Sequence, residues 1–448
     1  MRALTRKLQK DFEKKLAREI KINPKAFWRY TNSKLKTRTK IGNLLNEDGS
    51  ITTTSKEKAD VLNKFFSSVF TEEATQNIPT LAPQYDGLPL DDIDIQSDTI
   101  KKKLLELKIS KAAGPDGWHP RVLNELAAQL CEPLSILLRK SLDSGQLPDI
   151  WKMAHVVPIH KKGSRSVAGN YRPVSLTAII AKVFESLIRD ALVTHMMDNG
   201  LFADEQHGFV PGRSCMTQLL LVMEEWTKIL ENGTPLDVIY LDFRKAFDSV
   251  PHQRLIKKLQ AYGIKGKLLD WITGFLTGRR QRVIVDGHLS DWAQVTSGIP
   301  QGSVLGPILF VIFINDMPSS ITSICKLFAD DAKVYRSIAT DADAERMQGD
   351  LDDLEQWADT WQMGFNTDIC KSMHLGATNP HHIYKMNGND LIQVREEKDL
   401  GVKIYNQLKF HAHSALVVNK AFQILAVISK SFACLDEEIG RASCRERV

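Results

Sequence analysis

Apolar residues recur at several different spacings along this chain, and each spacing predicts an element. Near the start, Leu4, Leu8, Phe12, Leu16 and Ile20 stand four apart, which puts them on one face of a helix. Helical patterning continues to about residue 70 and ends in KADVLNKFFSSVF. Residues 71–95 are rich in Thr, Pro, Gly and Asp and predict a linker or an irregular wrap. A Ser-capped helix is expected from Ser97 to Gly114, then turn chemistry in GPDGWHP, then a helix over 121–147. AHVVPIHKKG reads as a short strand entering a basic loop, and residues 175–196 read as a long helix. PLDVIYLDF at 235–243 is a run of β-branched and aromatic residues, so a buried strand, with helix expected over 244–263. QRVIVDGHLSDWAQVT alternates around Asp286-Gly287 and predicts a hairpin. SGIPQGSVLGPILFVIFINDM predicts a Gly/Pro loop opening a buried helix, KLFADDAKVY two strands around an Asp pair, and residues 344–363 an amphipathic helix. Beyond residue 390 the pattern fades. Helices mixed with antiparallel hairpins, and no internal repeat, make the fold class α+β.

Composition adds a size and a charge asymmetry. A chain of 448 residues is long enough for a large core and more than one lobe. Its net charge of +5 is uneven: residues 1–40 hold 14 Lys/Arg against 3 Asp/Glu. Such an arm is either a contact for a polyanion or a solvated charged helix, and the sequence weighs the two evenly. The six cysteines have no metal-ligand spacing and read as reduced thiols of an intracellular protein. The longest apolar stretch, VLGPILFVIFI at 304–314, is about half of what spans a bilayer, so no membrane partner is expected.

Candidate chemistry sits in three places. Asp242 ends the buried strand. Gly298, Gly302 and Gly306 punctuate a loop where backbone can approach a ligand closely. Asp330 and Asp331 interrupt a hairpin, where the plain reading is a surface turn. The chain between Asp242 and Asp330 is long enough to return the two strands side by side. Carboxylates clustered at strand ends repel one another and persist where a hard divalent cation such as Mg²⁺ binds them. Two such ions can activate a 3′-hydroxyl and stabilise a leaving pyrophosphate. Each piece alone is a weak signal; the three in this order are a strong one.

At this level the chain resembles the reverse transcriptases of non-long-terminal-repeat (LINE-type) retrotransposons, near the jockey and chicken-repeat-like groups. The resemblance rests on YLDFRKAFDSVPH, SGIPQGSVLGPILFVIFINDM, LFADDAKVY, HKKGSRSVAGNYRPVSLT and DEQHGFVPGRS, and on GPDGWHPRVL upstream. It implies an α+β right-hand polymerase of fingers, palm and thumb, with an antiparallel palm sheet and a helical N-terminal extension. The implied divisions are a basic helical extension and linker at 1–95, and fingers and palm at 96–390, with the catalytic core near 150–376. A primer grip (KDLGVKI) and partial thumb follow at 391–436, and a probable non-native tail, EEIGRASCRERV, at 437–448. Family members carry an endonuclease domain upstream, which this segment is expected to lack.

The implied activity is RNA-directed DNA synthesis with two Mg²⁺ ions, Mn²⁺ as a substitute, an RNA template, a DNA primer and deoxynucleoside triphosphates. By motif match Asp242, Asp330 and Asp331 hold the metals, with the Phe243 carbonyl completing the shell. Lys161, Lys162 and Arg172 neutralise the triphosphate. Gln301 and Gly302 contact nucleotide and template backbone. Phe247 is either a gate against a ribose 2′-hydroxyl or a core aromatic. Such a gate argues against the runner-up enzyme, an RNA-templated RNA polymerase. In FNTDICKSM the family's lysine is replaced by Ile369; either Lys371 is the general acid, the acid is lost, or the motif register differs. The alternative to the enzyme is an inactive nucleic-acid-binding remnant. Localisation, cytoplasmic then nuclear, follows from the resemblance alone.

Overall fold

The computed structural model describes residues 2–20, 22–34, 41–46 and 48–432. The chain forms two compact units, one of residues 42–395 and one built from residues of 2–41 and 396–432. This division differs from the boundary expected at residue 95. Residues 42–95 belong to the larger unit because hydrogen bonds tie them there. Glu73 accepts from the backbone N–H of Gln253 and Arg254, at 2.9 Å each, at the start of the helix His252–Ala261. The buried Arg254 side chain also pairs with Glu73 and donates to the Ala74 carbonyl. Thr71 donates through its N–H to Ser297 and through its hydroxyl to the Ser249 carbonyl.

Two sheets organise the larger unit. The first runs Tyr171–Leu176, Met153–His160, Arg279–Val285, His288–Leu289, with Ala293–Val295 also on Arg279–Val285. Its middle pair is parallel, and the pair Met153–His160 with Tyr171–Leu176 is antiparallel. Asp286 and Gly287 both take positive φ, 49° and 85°, so the expected Asp-Gly turn closes that hairpin as a type I′ turn does. The strand at Tyr171–Leu176 was not expected and takes the first two residues of the helix expected over 175–196, which starts later, at Ile179–Asp198. Pro173 in this edge strand lowered the strand signal while costing no ladder bond that an edge needs.

The second sheet has the order Ile392–Gln393, Lys371–Leu375, Leu236–Leu241, Asp331–Ser337, Ile324–Phe328. It is antiparallel except for the short edge pair Ile392–Gln393 with Lys371–Leu375, which is parallel. Its central strand is buried on both faces. Ile239 and Leu241 join the main core with the helix Gly306–Ile314, of which every residue but Pro307 is buried. That core explains why Gly306–Ile314 is apolar all round. The opposite face carries Val238 and Tyr335, and the Trp226 ring of helix Cys215–Glu231 meets Tyr335 at 5.7 Å. The helix expected over 244–263 is broken into Ala246–Ser249 and His252–Ala261, because Pro251 cannot continue the first turn.

The smaller unit holds the helices Arg2–Arg18, Pro24–Lys34 and His411–Ser431 and the hairpin Glu396–Asp399 with Val402–Tyr405. Leu16, Ala17 and Ile20 pack with Phe27, Ile428 and Phe432. The apolar face expected of the first helix is covered only at that end; Leu4 is 62% and Leu8 60% exposed. Basic Arg6, Lys7 and Lys10 are exposed as well, so the arm is a packing helix at one end and a charged surface at the other. The 21-residue helix His411–Ser431 is long and apolar enough, by length and composition, to cross a membrane. Residues 437–448 lie outside the described residues.

Candidate active site

The central strand Leu236–Leu241 delivers Asp242 to one end of the sheet, and local contacts hold it there. The Asp242 carbonyl accepts from the Asn366 N–H at 2.8 Å. The Phe243 ring is buried and stacks on Phe365, with centroids 4.7 Å apart. The other two carboxylates come from the hairpin Ile324–Phe328 with Asp331–Ser337. Phe328 pairs with Asp331, leaving a two-residue turn of Ala329, at φ 54°, and Asp330. Leu241 pairs with Ala332, so continuing the register sets Asp331 beside Asp242.

The segment 205–208 grips this hairpin. His207 N–H donates to the Leu327 carbonyl at 2.8 Å and Leu327 N–H to the Glu205 carbonyl at 2.9 Å. The fully buried Gln206 amide oxygen accepts from Gly208 N–H at 2.7 Å and Ala329 N–H at 3.0 Å. A Cβ on Gly208 would lie 2.4 Å from the Ala329 nitrogen, so only glycine fits. DEQHGFVPGRS thus acts on the carboxylate hairpin through Gln206 and Gly208, a role that periodicity in the sequence does not disclose.

Asp242 and Asp330 are half-buried and Asp331 is exposed. Burial raises the Asp242 carboxyl above its ordinary value; the charges of Lys161 and Lys162 oppose the rise and that of Asp330 adds to it. Four side chains from three distant stretches therefore face one another. Three more adjoin them: Lys245, lowered by burial, feels the charges of Asp248 and Arg172 as well as that of Lys161. The expected site residues Asp242, Asp330, Lys161, Lys162 and Arg172 are brought together.

The Gly-rich loop closes the other side. Gln301 Nε2 donates to both oxygens of the Asp248 carboxylate, at 2.9 Å each. The Gln301 carbonyl accepts from Ser175 N–H at 2.7 Å. At Gly302, φ is 113° and a Cβ would lie 2.7 Å from the Ser175 carbonyl oxygen. At Gly298, φ is 83° and a Cβ would lie 2.5 Å from the Asp248 carbonyl oxygen. These two glycines are required where the loop lies directly on neighbouring backbone. Buried Glu185 accepts from Val304 N–H at 2.6 Å, capping the entry to the helix Gly306–Ile314. Phe247 is half-buried and stacks on Phe310, at 4.6 Å and 24°. It touches the core on one side and is exposed on the other, so both sequence readings of it have a physical basis. Asp248 is the residue that sequence reasoning passed over. Its signal was present, an acid immediately after an apolar helix position, but nothing in the sequence pairs it with a glutamine 53 residues on.

Ile369 lies in a turn and is 36% exposed, not a buried strand residue. Lys371 opens the strand Lys371–Leu375 and pairs with Tyr240. Tyr240 and Asp242 share a face by alternation, so Lys371 stands on the Asp242 face, about 7 Å back along the sheet.

Among the described residues no three His, Cys, Asp or Glu side chains are close enough together to hold a metal ion. The donor set still fits a hard cation. Asp242 and Asp330 supply carboxylate oxygen, and a dication would offset both the burial that raises the Asp242 carboxyl and the smaller contribution of the Asp330 charge.

Comparison with known proteins agrees with this geometry. Residues 159–404, more than half of the chain, match the family described as reverse transcriptase (RNA-dependent DNA polymerase). The RNA-directed DNA polymerase from mobile element jockey of Drosophila melanogaster is 28% identical over 87% of this chain and 44% of its own length. The probable RNA-directed DNA polymerase from transposon X-element of the same species is 30% identical over 68% of this chain and 34% of its own. The chain thus spans less than half the length of these relatives. A structure of apo telomerase from Candida tropicalis, truncated from its C-terminal domain, aligns over 67% of this chain and 62% of that one. Its TM-score is 0.42 at 11% identity. On the strength of the family match, the chain belongs to the reverse transcriptase family and has its right-hand polymerase fold.

Proposed function

We propose that this chain is the RNA-directed DNA polymerase of a mobile element, extending a DNA 3′ end by copying RNA. The observation that carries the reading is the convergence of Asp242 and Asp330 with Lys161 and Lys162 at one end of the palm sheet. Reverse transcriptases generally use divalent metal ions. Asp242, Asp330 and Asp331 would hold two Mg²⁺ ions, which would supply charge neutralisation and an activated 3′-hydroxyl. The Phe243 carbonyl is the backbone candidate for the same shell.

The chain's own residues do the rest. Lys161, Lys162 and Arg172 attract and orient a triphosphate, two as point charges and one as a planar fork. Phe247 presents a ring edge to the sugar, braced from behind by Phe310. Gly302 lets the loop backbone lie flat against Ser175, leaving room for nucleotide and template. Lys371, on the Asp242 face of the sheet, would give a proton to the departing pyrophosphate, a step typically worth 10²–10⁴-fold. The exposed basic end of the N-terminal helix offers a surface for RNA phosphates.

The test is primer extension on poly(rA) with an oligo(dT) primer and Mg²⁺. Synthesis that depends on the metal supports the reading. Retention of RNA binding with no synthesis at any Mg²⁺ or Mn²⁺ concentration would favour the inactive remnant.

A further inference from the structure

We infer that Gln206 is a positioning residue for metal binding: its amide oxygen holds the Ala329 turn in a left-handed shape, so that Asp330 and Asp331 are presented beside Asp242 before a cation arrives, and the site needs less divalent cation to fill. The inference rests on the polymerase reading of this site and deepens it.

The turn that carries the two carboxylates has a conformation that its own sequence disfavours. Phe328 pairs with Asp331, so only Ala329 and Asp330 lie between the strands, and of the two only Ala329 has positive φ, at 54°. That is the pattern of a type II′ turn, whose first position favours glycine. A residue with a Cβ is disfavoured at left-handed φ by roughly five- to thirtyfold in population. Ala329 stands there nonetheless, 3% exposed and packed in the main core. Its conformation is therefore held from outside the hairpin.

Gln206 supplies that hold. Its amide meets the backbone N–H of Gly208 at 2.7 Å and that of Ala329 at 3.0 Å. Both partners are donors, so the oxygen must be the end that faces them. Gln206 is fully buried, and among the described residues its Nε2 meets no hydrogen-bond partner. A buried donor left unpaired destabilises a fold. The side chain thus contributes more by where it puts Ala329 than by its own burial.

Gln206 is itself anchored. Its backbone bridges to Leu327 of the hairpin, through His207 N–H to the Leu327 carbonyl and Leu327 N–H to the Glu205 carbonyl. The Arg213 guanidinium fixes the same stretch. Its Nη1 lies 2.8, 3.1 and 2.7 Å from the carbonyls of Ala203, Asp204 and Gln206, and its Nη2 donates to the Asp204 carboxylate at 3.1 Å.

The consequence for the metal follows from populations. A cation that binds only the presented turn has its affinity reduced by the fraction of molecules in that shape. With Gln206 in place that fraction is near one. Without it Ala329 relaxes to negative φ in most molecules, and metal binding must draw it back. Saturating metal then restores the full rate, so the loss falls on metal affinity and not on the chemical step.

The experiment compares wild type, Gln206→Met, Ala329→Gly and the double variant, each as the full chain. Two quantities are read. One is the Mg²⁺ concentration for half-maximal single-nucleotide incorporation. The other is the affinity for Mn²⁺ in a titration followed by electron paramagnetic resonance, which needs no turnover. Gln206→Met keeps the length of the side chain and removes its acceptor. It should weaken both by about five- to tenfold, with the incorporation rate at saturating Mg²⁺ within about threefold of wild type. In the Ala329→Gly background the same replacement should weaken them by less than about threefold, because glycine adopts positive φ unaided. Unchanged metal affinity in Gln206→Met, a lost rate that saturating metal does not restore, or the same loss in both backgrounds would overturn the inference. If the melting curve of Gln206→Met shows that it does not fold, Arg213→Lys decides. That variant keeps the charge, loses the planar fork, and should weaken metal binding by about threefold or more; an unchanged affinity would overturn the inference. If wild type binds Mn²⁺ but extends no primer, the polymerase reading fails and the Mn²⁺ titration alone decides, where equal affinities in wild type and Gln206→Met would overturn the positioning role.

Discussion

Lys258 is fully buried, and replacing it should harm the protein less than replacing its partner. Its ammonium donates to the Phe313 carbonyl at 2.6 Å and pairs with Asp316. The rings of Trp361, Trp357 and Phe313 surround it, with centroids 3.7, 4.6 and 4.8 Å away. Burial pulls its pKa from 10.5 down to about 8 although Asp316 opposes the fall. In the unfolded chain Lys258 keeps its proton up to the ordinary value. Between pH 8 and 10.5 the unfolded state therefore binds more protons, and stability rises with pH through that window. The gap corresponds to about 3 kcal/mol, at 1.36 kcal/mol per pH unit, by which the charged form is held at a loss at neutral pH. Asp316→Asn leaves that ammonium unpaired and should cost about 3–5 kcal/mol. Lys258→Met fills the same volume beside the aromatic rings, and Asp316 keeps the Trp357 Nε1–H at 3.1 Å, so its cost should be far smaller. Urea unfolding followed by tryptophan fluorescence at pH 7 and pH 9.5 measures both. An Asp316→Asn variant no less stable than Lys258→Met at pH 7 would exclude this account of the pair. So would a wild type that gains no stability relative to Lys258→Met at the higher pH.

Asp242→Asn should reduce single-turnover incorporation by about 10²–10³-fold or more, because it removes charge from the metal shell, while leaving the fold intact; near-wild-type rates would exclude the assigned site. Phe247→Ala should admit ribonucleotides and also lower stability by up to about 3 kcal/mol, since it empties a half-buried site stacked on Phe310; a stability loss with unchanged sugar preference would leave only the core role. Lys371→Ala should slow the chemical step by about 10²-fold or more and Ile369→Lys should change it little, given the turn position of Ile369; an acceleration by Ile369→Lys would mean the acid is missing. Charge reversal of Arg6, Lys7 and Lys10 should flatten the salt dependence of RNA binding by about 0.7 per lost phosphate contact without unpacking the helix, measured by titration at several ionic strengths.

The residues read from the sequence alone were those whose type is dictated by local chemistry. A buried strand ending in Asp242, an Asp pair in a hairpin turn, and glycines in a loop between them are local statements, and period and turn chemistry reveal them. The Asp286-Gly287 turn and the all-apolar helix Gly306–Ile314 were legible for the same reason. What only the tertiary structure decided were pairings between distant residues. Gln206 with Ala329, Asp248 with Gln301, and Glu73 with the start of His252–Ala261 are satisfied hydrogen bonds between segments with no shared periodicity. The strand Tyr171–Leu176 escaped notice because an edge strand tolerates Pro173. Residues 42–95 were assigned to the N-terminal extension because helical patterning runs on to about residue 70 and the Pro-rich stretch 71–95 looks like a linker. Whether such a stretch wraps or floats depends on partners that its own composition does not contain, and here Thr71 and Glu73 found them at Ser249, Ser297 and the start of His252–Ala261.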